Sequence, residues 1–269
     1  MLTPFEYNFH MQPTFQNVGV VGTGAMGRGI AQMAAQAGSS VLLFDMQPGA
    51  ADTARQALAD TWQKLTLKGK LTPEEQAEML ARVSCVETLS ALAPCQLVIE
   101  AIVERIEIKQ RLFSELEAIL ATEAVLATNT SSLSVTAIGA ALKRPGQLAG
   151  FHFFNPVPLM RVVEVIAGLK THAGVCHQLT EFARQFGHTP VSAQDTPGFI
   201  VNHAGRGYGT EALRVVGERV ADFATIDRIL KDQMGFRLGP FELMDLTALD
   251  VSHPVMESIY RQYYDEPRY

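Results

Sequence analysis

The chain has 269 residues, 47% hydrophobic and 19% charged, with 22 basic against 28 acidic side chains and a net charge of −6. Its 21 glycines and 13 prolines are ordinary numbers, which excludes collagenous and low-complexity classes, and its apolar content excludes a disordered chain. The acidic balance argues against a general nucleic-acid or anionic-membrane surface, since such binding rests on Lys and Arg neutralising phosphates, but leaves room for a local basic pocket.

This length fits one large or two ordinary domains. Residues 1–16 carry Glu6 and neither a basic start nor an apolar run, so they read as a leader rather than a secretory signal, with Met11 an alternative start. Cys85, Cys95 and Cys176 form no CxxC pair and no metal-ligand spacing, which points to a reducing, cytoplasmic setting and no metal. The longest uncharged stretch, residues 124–142, is rich in Thr, Ser and Asn, so no membrane span is expected.

Residues 17–22 are an apolar run ending in glycine, and Ile30, Met33, Ala34 and Ala37 then follow at helical spacing. Residues 41–45 read as a buried strand closing in a carboxylate, which completes a βαβ unit. A helical region marked by Leu58, Trp62 and Leu65 restarts at Pro73 near Met79. Strands are expected at residues 96–101, 124–128, 148–153, 161–166 and near 190–192, with helices at about 105–120 and 135–142. Strands alternating with helices imply a mostly parallel sheet covered on both faces. At Asp195-Thr196-Pro197-Gly198 the pattern changes: a capping side chain before Pro signals a helix start, and helices at about 198–218, 225–233 and 240–263 follow. The expected architecture is α/β: a leader over 1–16, a Rossmann-type domain over 17–195 and a smaller all-α domain over 196–269.

Gly22, Gly24 and Gly27 have the GxGxxG spacing directly after a strand and before a helix. The first allows the tight turn, the second the approach of a pyrophosphate, and the third close helix–strand packing. The pyrophosphate would rest on amides at the helix start, around Ala25 and Met26. Asp45, eighteen residues after the third glycine, would accept hydrogen bonds from ribose hydroxyls and repel a 2′-phosphate. Met46, Gln47 and Pro48 provide no arginine to hold such a phosphate, so NAD is favoured over NADP.

His152 lies in the aromatic strand of residues 150–154, at the edge where open α/β sheets bind ligands. Twelve residues on, Glu164 interrupts Val162, Val163, Val165 and Ile166, so its carboxylate is expected to be desolvated and to need a partner. Neighbouring strands can pair the two, the carboxylate fixing the tautomer of an imidazole that takes a proton from an alcohol. The histidines at 10, 172, 177, 188, 203 and 253 lie in polar or terminal segments without such a carboxylate. Asn129-Thr130-Ser131-Ser132 ends another strand, and its small polar side chains can bind a substrate oxygen or cap the next helix; Ser132 or Ser134 suits capping, and Ser131 is open to substrate binding.

These motifs, with Ile99-Glu100-Ala101, the segment 195–202 and the stretch 239–246, resemble the 3-hydroxyacyl-CoA dehydrogenase family from residue 17 to the end. The likeness is to its bacterial members acting on 3-hydroxybutyryl-CoA and 3-hydroxyadipyl-CoA. The resemblance implies that His152 is the base, Glu164 its orienting partner, and Ser131 and Asn202 polar contacts to the acyl-CoA oxygens. It places Glu104, Lys109 and Asn155, with Ser131, along the nicotinamide half of the cofactor site, and Thr61 and Lys68 against coenzyme A. Lys64, Lys68 and Lys70 form a small basic cluster suited to coenzyme A phosphates, or else a solvated helix face. It further implies a homodimer formed through the helical domain, which would close over the sheet edge to exclude water.

Two departures stand out. Where the family has Asn-Arg and a regular apolar helix, this chain has Asn202-His203-Ala204-Gly205-Arg206-Gly207-Tyr208-Gly209, a helix expected to lean on outside packing because each internal glycine costs about 1 kcal/mol. The chain also stops at Tyr269, where relatives continue into a segment with another cofactor-side lysine, so a shortened C-terminus is expected. The expected activity is reversible NAD-dependent oxidation of an (S)-3-hydroxyacyl-CoA, in fatty-acid or phenylacetate-type catabolism. The alternatives are a dehydrogenase of free hydroxy acids, such as the lambda-crystallin-like sugar-acid enzymes, and an NAD-binding module without turnover.

Overall fold

The computed structural model describes residues 13–264, and the chain divides into two compact units. One comprises Met1–Thr130 and Ser134–Asp195, the other Ser131–Leu133 and Thr196–Tyr269.

The first unit begins with β1 (Asn17–Val21), α1 (Ala25–Gln36) and β2 (Ser40–Phe44). Then come α2 (Ala50–Leu67), α3 (Pro73–Ala81) and β3 (Val83–Cys85). After a 3-10 turn at Leu89–Leu92 the chain forms β4 (Leu97–Glu100), α4 (Ile106–Ile119), β5 (Val125–Thr128) and the short α5 (Val135–Gly139). A second 3-10 turn leads to β6 (Leu148–Phe153), β7 (Val162–Ala167), α6 (Ala173–Gln185) and β8 (Thr189–Gln194). The eight strands form one sheet in the order β3-β2-β1-β4-β5-β6-β7-β8, parallel throughout except that β6 and β7 run antiparallel. Strand order reverses between β1 and β4, and the crevice outside the carboxyl ends of these strands is where open sheets of this kind bind ligands.

Every residue of β4, β5 and β6 is buried, so helices must cover both faces, and this is why these strands read as continuous apolar runs. Phe151 and Phe153 point into the same core and stack edge to face at 4.6 Å, each contributing about 1.5–3 kcal/mol by burial. The start of α3 is set locally by a capping box between Thr72 and Glu75 around Pro73.

Two elements have no sequence expectation: β3, whose three residues are too short to show alternation, and α6, whose buried stripe is Val175, Leu179, Phe182 and Ala183. Of the leader expected over residues 1–16, residues 1–12 lie outside the described residues. Phe15 is buried against Phe182, and the amide of Thr14 donates to Gln185 Oε1 at 2.9 Å.

The second unit is helical: α7 (Val201–Ala204), α8 (Arg206–Gly217), α9 (Phe223–Met234), α10 (Pro240–Thr247) and α11 (Leu249–Tyr263). The helix expected from residue 198 begins later. Gly198 and Phe199 adopt positive φ, of 78° and 50°, in a turn that the helix follows at Val201. Asp195 does not cap that helix. It accepts from Ser134 Oγ and from the amides of Val135 and Thr136 at 2.7–2.9 Å, so its carboxylate serves the start of α5. The glycine-laden segment is interrupted at Gly205, and a Cβ on Gly209 would lie 3.0 Å from the Met244 side chain, which shows α8 leaning on α10. The long helix expected over 240–263 is two, divided at Ala248, where φ is 62°. Among the described residues no helix is long and apolar enough to cross a membrane.

Candidate active site

At the β1–α1 turn the three glycines answer three different constraints. Gly22 has φ of 90°, and a Cβ there would stand 2.6 Å from the Ala101 carbonyl. A Cβ on Gly27 would overlap the Gly22 carbonyl at 1.8 Å, so no other residue lets α1 sit this close to β1. At Gly24 nothing lies within 4 Å of the Cβ position, and no side chain caps α1. Gly24 and Ala25 are exposed and Met26 is partly so, leaving amides at a helix start open to an anion. The turn therefore fits a dinucleotide pyrophosphate.

Asp45 follows β2 and braces this turn. Its Oδ2 accepts from the Thr23 amide at 2.7 Å and the Thr23 hydroxyl at 2.9 Å, and Oδ1 accepts from the Gln47 amide at 3.0 Å. Partial burial would raise its pKa, but the hydrogen bonds from Gln47 and Thr23 outweigh it and hold the carboxyl below its ordinary value. A half-exposed carboxylate at the end of β2 still has lone pairs for ribose hydroxyls.

On the other side of the switch point, Glu100 ends β4 completely out of water. It accepts from Lys109 Nζ at 2.5 Å, the Ile102 amide at 2.7 Å and Thr128 Oγ1 at 2.7 Å. Lys109, itself 1% exposed, lies 3.3 Å from Glu104 Oε2, and Glu104 Oε1 accepts from Thr130 Oγ1 at 2.6 Å. Glu104 and Lys109 are thus brought together with Glu100, Thr128 and Thr130; Glu100 and Thr128 carry no site expectation from the sequence, and Thr130 only that of substrate binding or capping. The available signal was a carboxylate closing an apolar strand nine residues before a lysine on an apolar helix face.

His152 and Glu164 stand directly opposite each other in the antiparallel β6–β7 pair, which puts both side chains on one face of the sheet. His152 Nδ1 and Glu164 Oε2 are 2.6 Å apart; Glu164 is fully buried and His152 4% exposed. A carboxylate only accepts, so Nδ1 carries the proton and, in a neutral ring, the lone pair lies on Nε2. Asn129 Oδ1 accepts from the Phe153 amide at 2.9 Å, tying the end of β6 to β5. Asn155 is exposed just beyond β6, in the cis Asn155-Pro156 turn.

His188, expected in a polar segment, is instead buried, with its ring edge-on to Phe153 at 5.5 Å and Nε2 3.1 Å from the Val157 carbonyl. Desolvation lowers its pKa, against the partial opposition of that carbonyl. The thiols offer no nucleophile: burial pushes Cys95 up to about 12, and burial with the nearby Asp52 pushes Cys85 up to about 11.

Within the helical unit, Asn202 Nδ2 donates to the Ser131 carbonyl at 3.0 Å, so these two site residues meet. Gln262 Nε2 donates to the next carbonyl, that of Ser132, at 2.7 Å. Ser134 rather than Ser132 is the cap, its hydroxyl accepting from the Ala137 amide. Thr61 and Lys68 are exposed along α2 and at its end, where Thr61 Oγ1 donates to the Ala57 carbonyl, and Lys64 and Lys70 are exposed beside them. Among the described residues no hydrogen bond or ion pair joins them to the other site residues.

The family model described as "3-hydroxyacyl-CoA dehydrogenase, NAD binding domain" matches residues 17–196, and "3-hydroxyacyl-CoA dehydrogenase, C-terminal domain" matches residues 198–269. The chain is 43% identical over 259 residues to 3-hydroxyadipyl-CoA dehydrogenase of Escherichia coli K12, covering 96% of itself and 54% of that protein. Thus it spans about half the length of that relative. It is 42% identical over 243 residues to a probable 3-hydroxybutyryl-CoA dehydrogenase of Deinococcus radiodurans, covering 90% and 87% of the two chains. Among solved structures, (S)-3-hydroxybutyryl-CoA dehydrogenase of Ralstonia eutropha superimposes with a TM-score of 0.91 at 34% identity, covering 94% of this chain and 89% of that one.

Proposed function

Because the chain belongs to the 3-hydroxyacyl-CoA dehydrogenase family, we propose that it catalyses the reversible oxidation of an (S)-3-hydroxyacyl-CoA to the 3-oxoacyl-CoA with NAD. The observation that carries this reading is the buried 2.6 Å contact between His152 Nδ1 and Glu164 Oε2, which leaves Nε2 as a base at the ligand-binding edge of the sheet. Gly22, Gly24, Ala25, Met26, Gly27 and Asp45 hold the adenosine and pyrophosphate of NAD. Glu104, Lys109, Ser131 and Asn155 serve its nicotinamide half. Bound NAD supplies the acceptor for the hydride that leaves the carbinol carbon.

His152 Nε2 takes the hydroxyl proton as that hydride departs, so the C–O bond becomes a carbonyl and the imidazole becomes an imidazolium. Glu164 keeps the ring in the correct tautomer and stabilises the positive charge. In the reverse direction the imidazolium returns the proton to the carbonyl oxygen. Ser131 and Asn202 contact the acyl-CoA oxygens, and the hydrogen bond from Asn202 to the Ser131 carbonyl supports a role for the pair as one unit. Thr61 and Lys68 bind the coenzyme A moiety, in keeping with exposed, cationic side chains at the end of α2.

The helical unit exposes Val220, Phe223, Met234, Phe236, Leu246 and Leu249, which supports homodimerisation through this unit. The three free cysteines suit a cytoplasmic, reducing setting, and fatty-acid or phenylacetate-type catabolism suits the substrate class. The test compares acetoacetyl-CoA, free acetoacetate and a dicarboxylic 3-oxoacyl-CoA as oxidants of NADH. Turnover is expected with the CoA esters, and turnover confined to the free acid would overturn the assignment.

A further inference from the structure

The strands that carry His152 and Glu164 are joined by residues 154–161, a loop that also carries Asn155. Backbone bonds fix its two ends. At the start, the Phe153 amide donates to Asn129 Oδ1 at 2.9 Å, and at the end the Arg161 carbonyl accepts from the Thr189 amide at 2.6 Å. Between them the amides of Leu159 and Met160 turn back to the Pro156 carbonyl, at 2.9 Å and 3.0 Å. Val157 is the one buried residue of this loop, at 1% exposed.

Two elements hold Val157. Its side chain seats on α1, the helix that follows the glycine turn, where a Cβ on Gly29 would stand 2.8 Å from Val157 Cβ and 3.0 Å from Cγ2. A side chain at position 29 would therefore push the loop away from the dinucleotide-binding helix. The Val157 carbonyl lies 3.1 Å from Nε2 of His188, the residue before β8. A carbonyl only accepts, so Nε2 carries the hydrogen and donates it. Burial lowers the pKa of His188 and keeps the ring neutral, with this one N–H to give. Phe153 and Phe186 pack edge-on to the ring, with centroids at 5.5 Å and 6.0 Å. A phenyl ring would fill the same aromatic space, and what the imidazole adds is its hold on the loop.

We propose that His188 is a positioning residue for hydride transfer. By holding the Val157 carbonyl while Gly29 seats the Val157 side chain on α1, it sets where Asn155 stands at the nicotinamide half of the cofactor. This rests on the proposed function given above. Asn155 is two residues from the held carbonyl, and a displacement of about 1 Å remote from the chemistry can cost up to about 100-fold in rate.

His188→Phe keeps the ring packing and removes the donor. His188→Gln restores a donor, since its terminal amide nitrogen stands about as far from Cα as Nε2 does. The rate of hydride transfer is read from the loss of NADH absorbance in a single turnover with acetoacetyl-CoA, beside the NADH dissociation constant and the melting temperature. In His188→Phe that rate is expected to fall about 5- to 20-fold, with NADH affinity changed less than about 3-fold. In His188→Gln it is expected to return to within about 3-fold of the wild type.

A lowered melting temperature with an unchanged hydride-transfer rate in His188→Phe would make His188 a packing residue and overturn the inference, leaving the proposed function intact. Equal losses of rate in the two variants would also overturn it, because the donor to Val157 would then not be what matters. If His188→Phe does not fold, Gly29→Ala displaces Val157 from the α1 side. The same fall in rate with NADH affinity held is expected there, and a wild-type rate overturns the inference. A wild-type protein that neither binds NADH nor reduces acetoacetyl-CoA overturns the proposed function, and this inference with it.

Discussion

Asp45 and Glu164 are both carboxylates held by short hydrogen bonds at the same sheet, but their surroundings assign them opposite work. Asp45 is half-exposed, receives backbone amides from a turn, and keeps lone pairs in reach of a ligand. Glu164 has no exposed surface and meets the imidazole of His152. In the proposed function the first carboxylate binds and the second orients. A buried charge costs several kcal/mol unless fully partnered, and the contact with His152 supplies a partner for Glu164.

The largest break in this comparison comes at the dyad. His152→Gln is expected to lower kcat by about 10²- to 10⁴-fold while NADH affinity stays near that of the wild type. Glu164→Gln, which removes the charge that stabilises the imidazolium, is expected to lower it by about 10- to 100-fold. Steady-state kinetics beside NADH titration read both, and near-normal turnover in His152→Gln would mean that the base has been misassigned.

A smaller effect is expected at the binding carboxylate. Asp45→Asn should weaken NAD by about 10-fold and narrow the preference over NADP, with kcat little changed at saturation. Its pH signature follows from the direction of its shift. The folded carboxyl lies below its ordinary value of 3.8, so it stabilises the fold above that pH and loses this contribution as pH falls through the folded pKa. Melting curves of Asp45→Asn should therefore show a shallower acid limb below about pH 4.

His188 sharpens the contrast as a buried imidazole without a carboxylate. Its pKa is lowered by burial, with the Arg161 charge adding to the shift, so the unfolded chain takes up the proton first as pH falls. Stability should be unaffected above about 6.5 and decline below it, by a few degrees of melting temperature. His188→Phe should flatten that decline. If the slope persists in the variant, its source is another group.

Much of this molecule is legible in its sequence, because many of its signals are local. Unbroken apolar runs mark strands buried on both faces, and the spacing of Gly22, Gly24 and Gly27 follows from the contacts of one turn with one helix. A histidine and a glutamate interrupting apolar strands announced themselves as buried polar groups that must be paired. Sequence allowed His152 and Glu164 to pair but could not fix the register that brings them together, nor name the partners of Glu100. The antiparallel register sets His152 opposite Glu164, and strand order places Glu100 beside the ligand crevice.

The same holds for Asp195, which lies in the segment read as the start of the next helix and is found capping α5, about sixty residues earlier. It holds also for the carbonyls of Ser131 and Ser132, which meet amides from residues 202 and 262. Periodicity and turn chemistry act over a few residues, so one sequence window contains them. The pairing of buried charges and backbone carbonyls is settled by packing between distant segments, where leaving any of them unpartnered costs more than most single contacts contribute.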